Sequence, residues 1–223
     1  MLDPAFFMAF ISSRICHDMV SPISSVSSAL ELLDDESMDE SMRTMAEDLL
    51  RDGAKKLQSY ILFLRYAFGS MGMSDSVADI HAAKDIINNY AALHPPSVVW
   101  DVETAQFSYF HARLLMQMVH IGITSLPRGG VVTIRIKDHD GRPSIVVEAR
   151  GDRAMLRDET LAAISGVVPD GGWNGRNAHM LFAVNVAEQL GSTLKATRTG
   201  PDDVIYAAQD LLLEANVNRE GIS

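Results

Sequence analysis

Apolar side chains in the first 33 residues return at three or four positions, or at sums of those spacings: Phe6, Phe10, Cys16, Val20, Ile23, Val26, Leu30 and Leu33. This is the period of one face of an α-helix. Asp3 followed by Pro4 is a natural start, a capping carboxylate before a proline suited to the first turn. Pro22 removes one backbone donor from the middle of the run, so a kink is expected there, about one and a half turns beyond His17.

The polar segment DDESMDES (34–41) breaks the pattern, and a second helical run follows in Met42, Met45, Leu49, Leu50, Ala54, Leu57, Ile61, Leu64 and Phe68. Gly69, with Gly72 after it, is placed to end that helix. Two helices of about thirty residues joined by a short loop predict an antiparallel hairpin, each arm roughly 45 Å long at about 1.5 Å per residue. Such a hairpin leaves apolar stripes uncovered, and a second copy would complete a four-helix bundle; a homodimer is therefore expected.

Beyond residue 75 the pattern changes. Val77 to Leu93 reads as a helix closed by His94, Pro95 and Pro96, VVWDVE (98–103) as a strand, and Phe110 to Thr124 as a helix. GGVVTIRIKD and RPSIVVEAR form two alternating strands about the turn DHDGRP. Met155 to Ser165 and Asn177 to Leu190 read as helices, and STLKATRTG and PDDVIYAAQ as strands. The fold class is α+β: a helical hairpin domain over residues 1–72, then an α/β sandwich over 73–223 with helices on one face of its sheet.

Composition narrows the functional classes. A net charge of −10 and the lack of a basic stripe argue against nucleic acid as a partner. No apolar run approaches the ~18 residues of a membrane span, and the opening stretch has neither a basic flank nor a small-residue cleavage site, so no membrane and a cytoplasmic location are expected. One cysteine, Cys16, allows no internal disulfide and reads as a small buried apolar residue. His81, His94, His111, His120, His139 and His179 share no ligand spacing, so neither a metal nor a cofactor site is expected.

His17 stands apart from those six by its surroundings, RICHDMVSPIS. On a helix Ser13, Arg14, Ser21 and Ser24 share its face, leaving small polar groups around the imidazole and room for an approaching globular domain. A histidine presented in this way suits phosphoryl transfer, in which positioning and charge compensation matter more than covalent activation. Asp18 is placed to orient the ring or take its proton, and Arg14 is the nearest cation in sequence. Folding the hairpin about residues 36–37 sets Lys55 and Lys56 near the level of His17, where they would offset phosphoryl charge or dock a partner.

The run RICHDMVSPISS resembles the phosphoacceptor box of sensor histidine kinase dimerisation domains, with histidine, an acid directly after it, and proline five residues on. With KKLQSYILFLRYAFG (55–69), nearly the full length is similar to the alphaproteobacterial histidine phosphotransferases. That resemblance implies a dimeric relay protein that accepts phosphate on His17 from the receiver domain of a hybrid kinase and passes it to response regulators. It also implies that Mg2+ belongs to the partner receiver alone, and that the second domain is a degenerate kinase ATP-binding fold.

An active ATP-dependent kinase is the rival reading. Set against the kinase pattern, the first nucleotide-site asparagine falls on Gln117 and the magnesium-holding one on Ile121, which offers no oxygen to a hard cation. The adenine-binding aspartate falls on Ala149, or on Glu148 with a one-residue shift. In GGWNGRNAHML, Gly175 persists but His179 takes the place of a second glycine. A non-catalytic adaptor that binds receivers through the bundle is a third reading.

Overall fold

The computed structural model describes residues 3–69, 78–103 and 107–214. The expected hairpin is present as α1 (Pro4–Leu33) and α2 (Glu40–Phe68). Asp3 caps α1 by accepting from the amides of Ala5 and Phe6, and the helix runs continuously through a buried Pro22. Asp39 caps α2, which ends at Gly69. Gly53 allows the two helices to approach: a methyl group there would sit 3.0 Å from Cγ2 of Val26. Cys16, expected to be buried, is exposed, because it lies on the outward side of α1 along with Val20 and Ile23.

The second half contains α3 (Ile80–Ala91), β1 (Pro96–Glu103), α4 (Tyr109–Thr124), β2 (Gly130–His139), β3 (Arg142–Arg150), α5 (Asp158–Ile164), α6 (Ala178–Gln189), β4 (Lys195–Gly200) and β5 (Asp203–Ala208). The expected helix start at Val77, together with Gly72 and the boundary at 72–73, lies outside the described residues. The helix expected over Met155 to Ser165 is shorter than the sequence pattern implies. Its first residues are drawn instead to the end of α4, where the Met155 amide donates to the Ser125 carbonyl and Arg157 donates to the Thr124 carbonyl.

The five strands lie in the order β1-β2-β3-β5-β4, with β1 parallel to β2 and every other pair antiparallel. Asp140 and Gly141, both at positive φ, make the tight turn between β2 and β3. Val132, Ile134, Ile136, Ile145, Val147 and Ala149 point to the helices, and Gly122 of α4 packs so close that a methyl group there would lie 2.8 Å from Val147. The opposite face carries ion pairs, among them Arg135 with Glu148 at 2.7 Å and Arg150 with Asp203 at 3.3 Å.

α4 is buried along its whole length from Phe110 to Ile123, as expected of a helix enclosed on all sides. Its polar residues make specific contacts there, although Nε of Arg113 is buried without a partner among the described residues. Gln117 donates to the Ala67 carbonyl at 2.9 Å, and Arg113 donates to that of Gly69. Both acceptors lie at the end of α2, so α4 ties the hairpin to the sandwich, and Phe63 and Ala67 enter one continuous core with it.

Candidate functional site

His17 stands midway along α1 with 77% of its side chain exposed, and its Nδ1 lies 3.3 Å from Oδ1 of Asp18. The other carboxylate oxygen of Asp18 accepts from Nε of Arg14, one helical turn earlier, at 2.8 Å. Both partners of that ion pair are largely covered. Arg14 is therefore not a free cation beside the imidazole: its guanidinium turns inward, and Nη2 reaches Nε2 of His120 on α4 at 3.3 Å.

The hydrogen-bond inventory sets the state of that buried ring. A guanidinium only donates, so Nε2 of His120 must accept. A neutral ring then carries its proton on Nδ1 and donates it to the Tyr90 hydroxyl at 2.7 Å. Burial pushes the pKa of His120 well below the ordinary histidine value, and the neighbouring His179 and Arg14 cation push the same way. Tyr90 stacks face to face on Phe63 of α2, with ring centroids 3.7 Å apart, and its phenol is raised by burial. His179 stands edge-on to His120 at 4.8 Å and is lowered to about 3, again chiefly by burial.

A groove of about 550 Å3 opens beside His17, bordered by Arg14, His120, Arg157, Glu159, Arg176 and His179. Arg176 belongs to the segment before α6, which rests on α1. Its neighbour Gly175 lies so near that a methyl group there would be 3.2 Å from Oγ of Ser13 and 3.3 Å from the Phe10 carbonyl. No motif or spacing marks Arg157 and Arg176 as site residues. The glycine-containing GGWNGRNAHML segment holds Arg176 but gives no indication that it folds back onto α1, and nothing in the sequence marks Arg157.

Ser13 lines a smaller adjoining hollow of about 340 Å3 with Arg14, His17 and Arg176, whereas Ser21 and Ser24 are exposed farther along α1. Lys55 and Lys56 are exposed but do not lie level with His17. Gly53 meets Ser25 and Val26, and Tyr60 and Leu64 lie beside Arg14 and Asp18, so the residue opposite His17 is near Ile61. The lysines are displaced by about six residues, or roughly 9 Å at about 1.5 Å per residue. Close packing at Gly53, not the midpoint of the loop, sets the offset of the helices.

The positions that the kinase pattern assigns to nucleotide are otherwise engaged. Gln117 holds the end of α2, Ile121 is buried in the core, and Ala149 faces the helices. Glu148 faces the other side of the sheet, where Arg135 and Arg150 pair with it. Among the described residues no group of three or more His, Cys, Asp or Glu side chains is arranged to hold a metal ion, and no helix is long and apolar enough to cross a membrane.

The profile of the histidine phosphotransferase C-terminal domain matches residues 80–202. The protein phosphotransferase ChpT of Brucella abortus (strain 2308) is 26% identical over 201 residues, covering 90% of this chain and 94% of that one. A solved bacterial phosphotransferase superposes with a TM-score of 0.81 at 26% identity, covering 93% of this chain and 98% of its own. The Acinetobacter baumannii histidine kinase AdeS matches at a TM-score of 0.46 and 12% identity, too distant to weigh further. The profile spans more than half the chain and the likeness to ChpT extends along nearly all of it, so this protein belongs to the histidine phosphotransferase family and is a phosphotransferase of phosphorelay type.

Proposed function

We propose that His17 accepts a phosphoryl group from the aspartyl phosphate of a hybrid kinase's receiver domain and returns it to the aspartate of a response regulator, without ATP. The observation that carries this reading is the exposure of the His17 ring together with its contact to Asp18. With Nδ1–H directed at the carboxylate, the lone pair of Nε2 is free to attack phosphorus. The N–P bond forms as the P–O bond to the receiver carboxylate breaks, and the carboxylate leaves with the electron pair. Positive charge develops on the ring during attack and faces the Asp18 anion, which favours the transition state electrostatically. Transfer onward runs the same steps in reverse.

Arg176 and Arg157, bordering the groove, supply positive charge where phosphate would arrive. Ser13, Ser21 and Ser24 leave the approach sterically open, and Lys55 and Lys56 extend the docking surface along α2 rather than touching the phosphoryl group. The chain brings no cofactor to the reaction; Mg2+ is held by the partner receiver. Occupation of Gln117, Ile121, Ala149 and Glu148 by structural contacts supports a domain that has given up nucleotide. Uncovered apolar side chains on α1 (Val20, Ile23, Leu30) and α2 (Met42, Met45, Leu49) support a homodimer through a four-helix bundle. In this reading the protein works in the cytoplasm, where receivers reside.

The deciding experiment incubates the protein with a 32P-labelled receiver domain, then with labelled ATP alone, and repeats both with His17→Ala. Label is expected on the wild-type chain from the receiver only, and none on the variant. Labelling from ATP would favour an autokinase. Receiver binding and inhibition that survive His17→Ala without any transfer would favour an adaptor.

A further inference from the structure

We infer that His120, on α4, is a positioning residue for transfer at His17: through Arg14 it fixes Asp18, and Asp18 in turn selects the tautomer of the His17 ring. The inference rests on His17 being the transferring histidine, and it gives the second domain a duty at the chemistry that needs no nucleotide.

The chain of contacts admits one assignment of donors and acceptors. Tyr90 Oη accepts from Nδ1–H of His120 at 2.7 Å, and Nε2 of His120 accepts from Arg14 at 3.3 Å. Arg14 Nε donates to Asp18 at 2.8 Å, and Asp18 faces His17 Nδ1 at 3.3 Å. Moving the His120 proton to Nε2 would set an N–H against the guanidinium donors, and a doubly protonated ring would add a second cation there. His120 and Tyr90 are both buried, and the Tyr90 ring is stacked on Phe63, so the far end of the chain is rigid while the near end is open to water.

The physical consequence concerns Arg14. Held by His120, its guanidinium presents Nε to one oxygen of Asp18 and leaves the other oxygen turned to His17. Released, a long arginine at the edge of the groove has many rotamers and a wide solvent-exposed space to enter. Asp18 then loses the partner that orients it, and His17 no longer keeps its proton on Nδ1 and its lone pair on Nε2. At metal-bound histidines, where an outer hydrogen-bond partner orients the ring in the same way, loss of that partner costs roughly ten- to a hundredfold.

The test uses the full chain and a small donor, phosphoramidate, so that receiver docking does not enter. The Nε2–P bond forms as the donor P–N bond breaks, and ammonia leaves with the electron pair. The rate of phosphohistidine formation and the 15N spectrum of the His17 ring are recorded for wild type, His120→Leu, His120→Gln, Tyr90→Phe and His17→Ala. His120→Leu is expected to slow labelling by about tenfold or more and to reduce the Nδ1–H form of His17. His120→Gln, which keeps an acceptor toward Arg14, restores most of both.

Tyr90→Phe preserves the stack on Phe63 and removes only the group that holds the Nδ1 proton of His120. It decides the matter if the leucine variant does not fold, with a smaller loss expected in the same direction. Wild-type rate and an unchanged His17 tautomer in folded variants would overturn the inference. If instead His17→Ala is labelled as well as wild type while the His17 tautomer still follows residue 120, the positioning chain stands and the proposed role of His17 falls.

Discussion

Nη2 of Arg14 lies 3.3 Å from Nε2 of His120, a contact across 106 positions of sequence that joins the first helix of the hairpin to the central helix of the sandwich. It places a residue of α4 two side chains away from the exposed imidazole. The same two parts of the molecule are joined by Gln117 with Ala67 and by Arg113 with Gly69, so the hairpin and the sandwich share one framework around the site.

Asp18→Asn is expected to slow loading of His17 by on the order of 10²-fold while leaving the fold intact. The amide oxygen can still accept from Arg14, which turns the NH2 group toward Nδ1 of His17. The proton then moves to Nε2, the atom that must attack, and the compensating negative charge is gone. Transfer kinetics from a phosphorylated receiver, with circular dichroism as the control for folding, measure this.

Arg176→Glu reverses a charge at the groove beside His17. Transfer from receivers is expected to weaken by roughly tenfold at low salt, with the difference shrinking as ionic strength rises and exposed charges are screened. A salt titration of transfer rates for both proteins checks it; an equal deficit at every salt concentration would indicate a structural effect instead.

Gln117→Met keeps the volume of the side chain but leaves the Ala67 carbonyl without its buried donor. A loss of about 1–3 kcal/mol in unfolding free energy is expected from one unsatisfied buried group. Urea midpoints report it, and nucleotide should have no effect on the midpoint of either protein.

Acid should destabilise the fold well before its carboxylates titrate. Burial lowers His111 to about 4 and His179 to about 3, and lowers His120 as well. The unfolded chain therefore takes up protons first as pH falls below the ordinary histidine value of about 6.5, and each buried ring removes up to about 1.4 kcal/mol per pH unit from there toward its folded value. Above about 6.5 these residues add no pH dependence. Urea midpoints that fall between pH 7 and pH 5 are the expected result, and a flat profile the contrary one.

Val20→Glu with Leu49→Glu places charges on the uncovered stripe of the hairpin. Sedimentation at micromolar concentration should show wild type as a dimer and the double variant as a monomer. A wild type that sediments as a monomer would remove the four-helix bundle from the account.

The features legible in the chain alone are those that neighbouring residues decide. Asp3 and Pro4 start a helix, Gly69 ends one, and alternation marks β2 and β3, because each depends on backbone preference or on side-chain period over a few residues; the run about His17, Asp18 and Pro22 is legible only as a resemblance. The contacts that set the chemistry around His17 depend on docking. The helix offset that separates Lys55 and Lys56 from His17 follows from Gly53 meeting Val26, and the arrival of Arg176 follows from Gly175 meeting Ser13. The inward turn of Arg14 follows from a buried acceptor on α4. Period and propensity say which face of a helix is apolar; only close packing between distant segments decides which atoms of those faces meet.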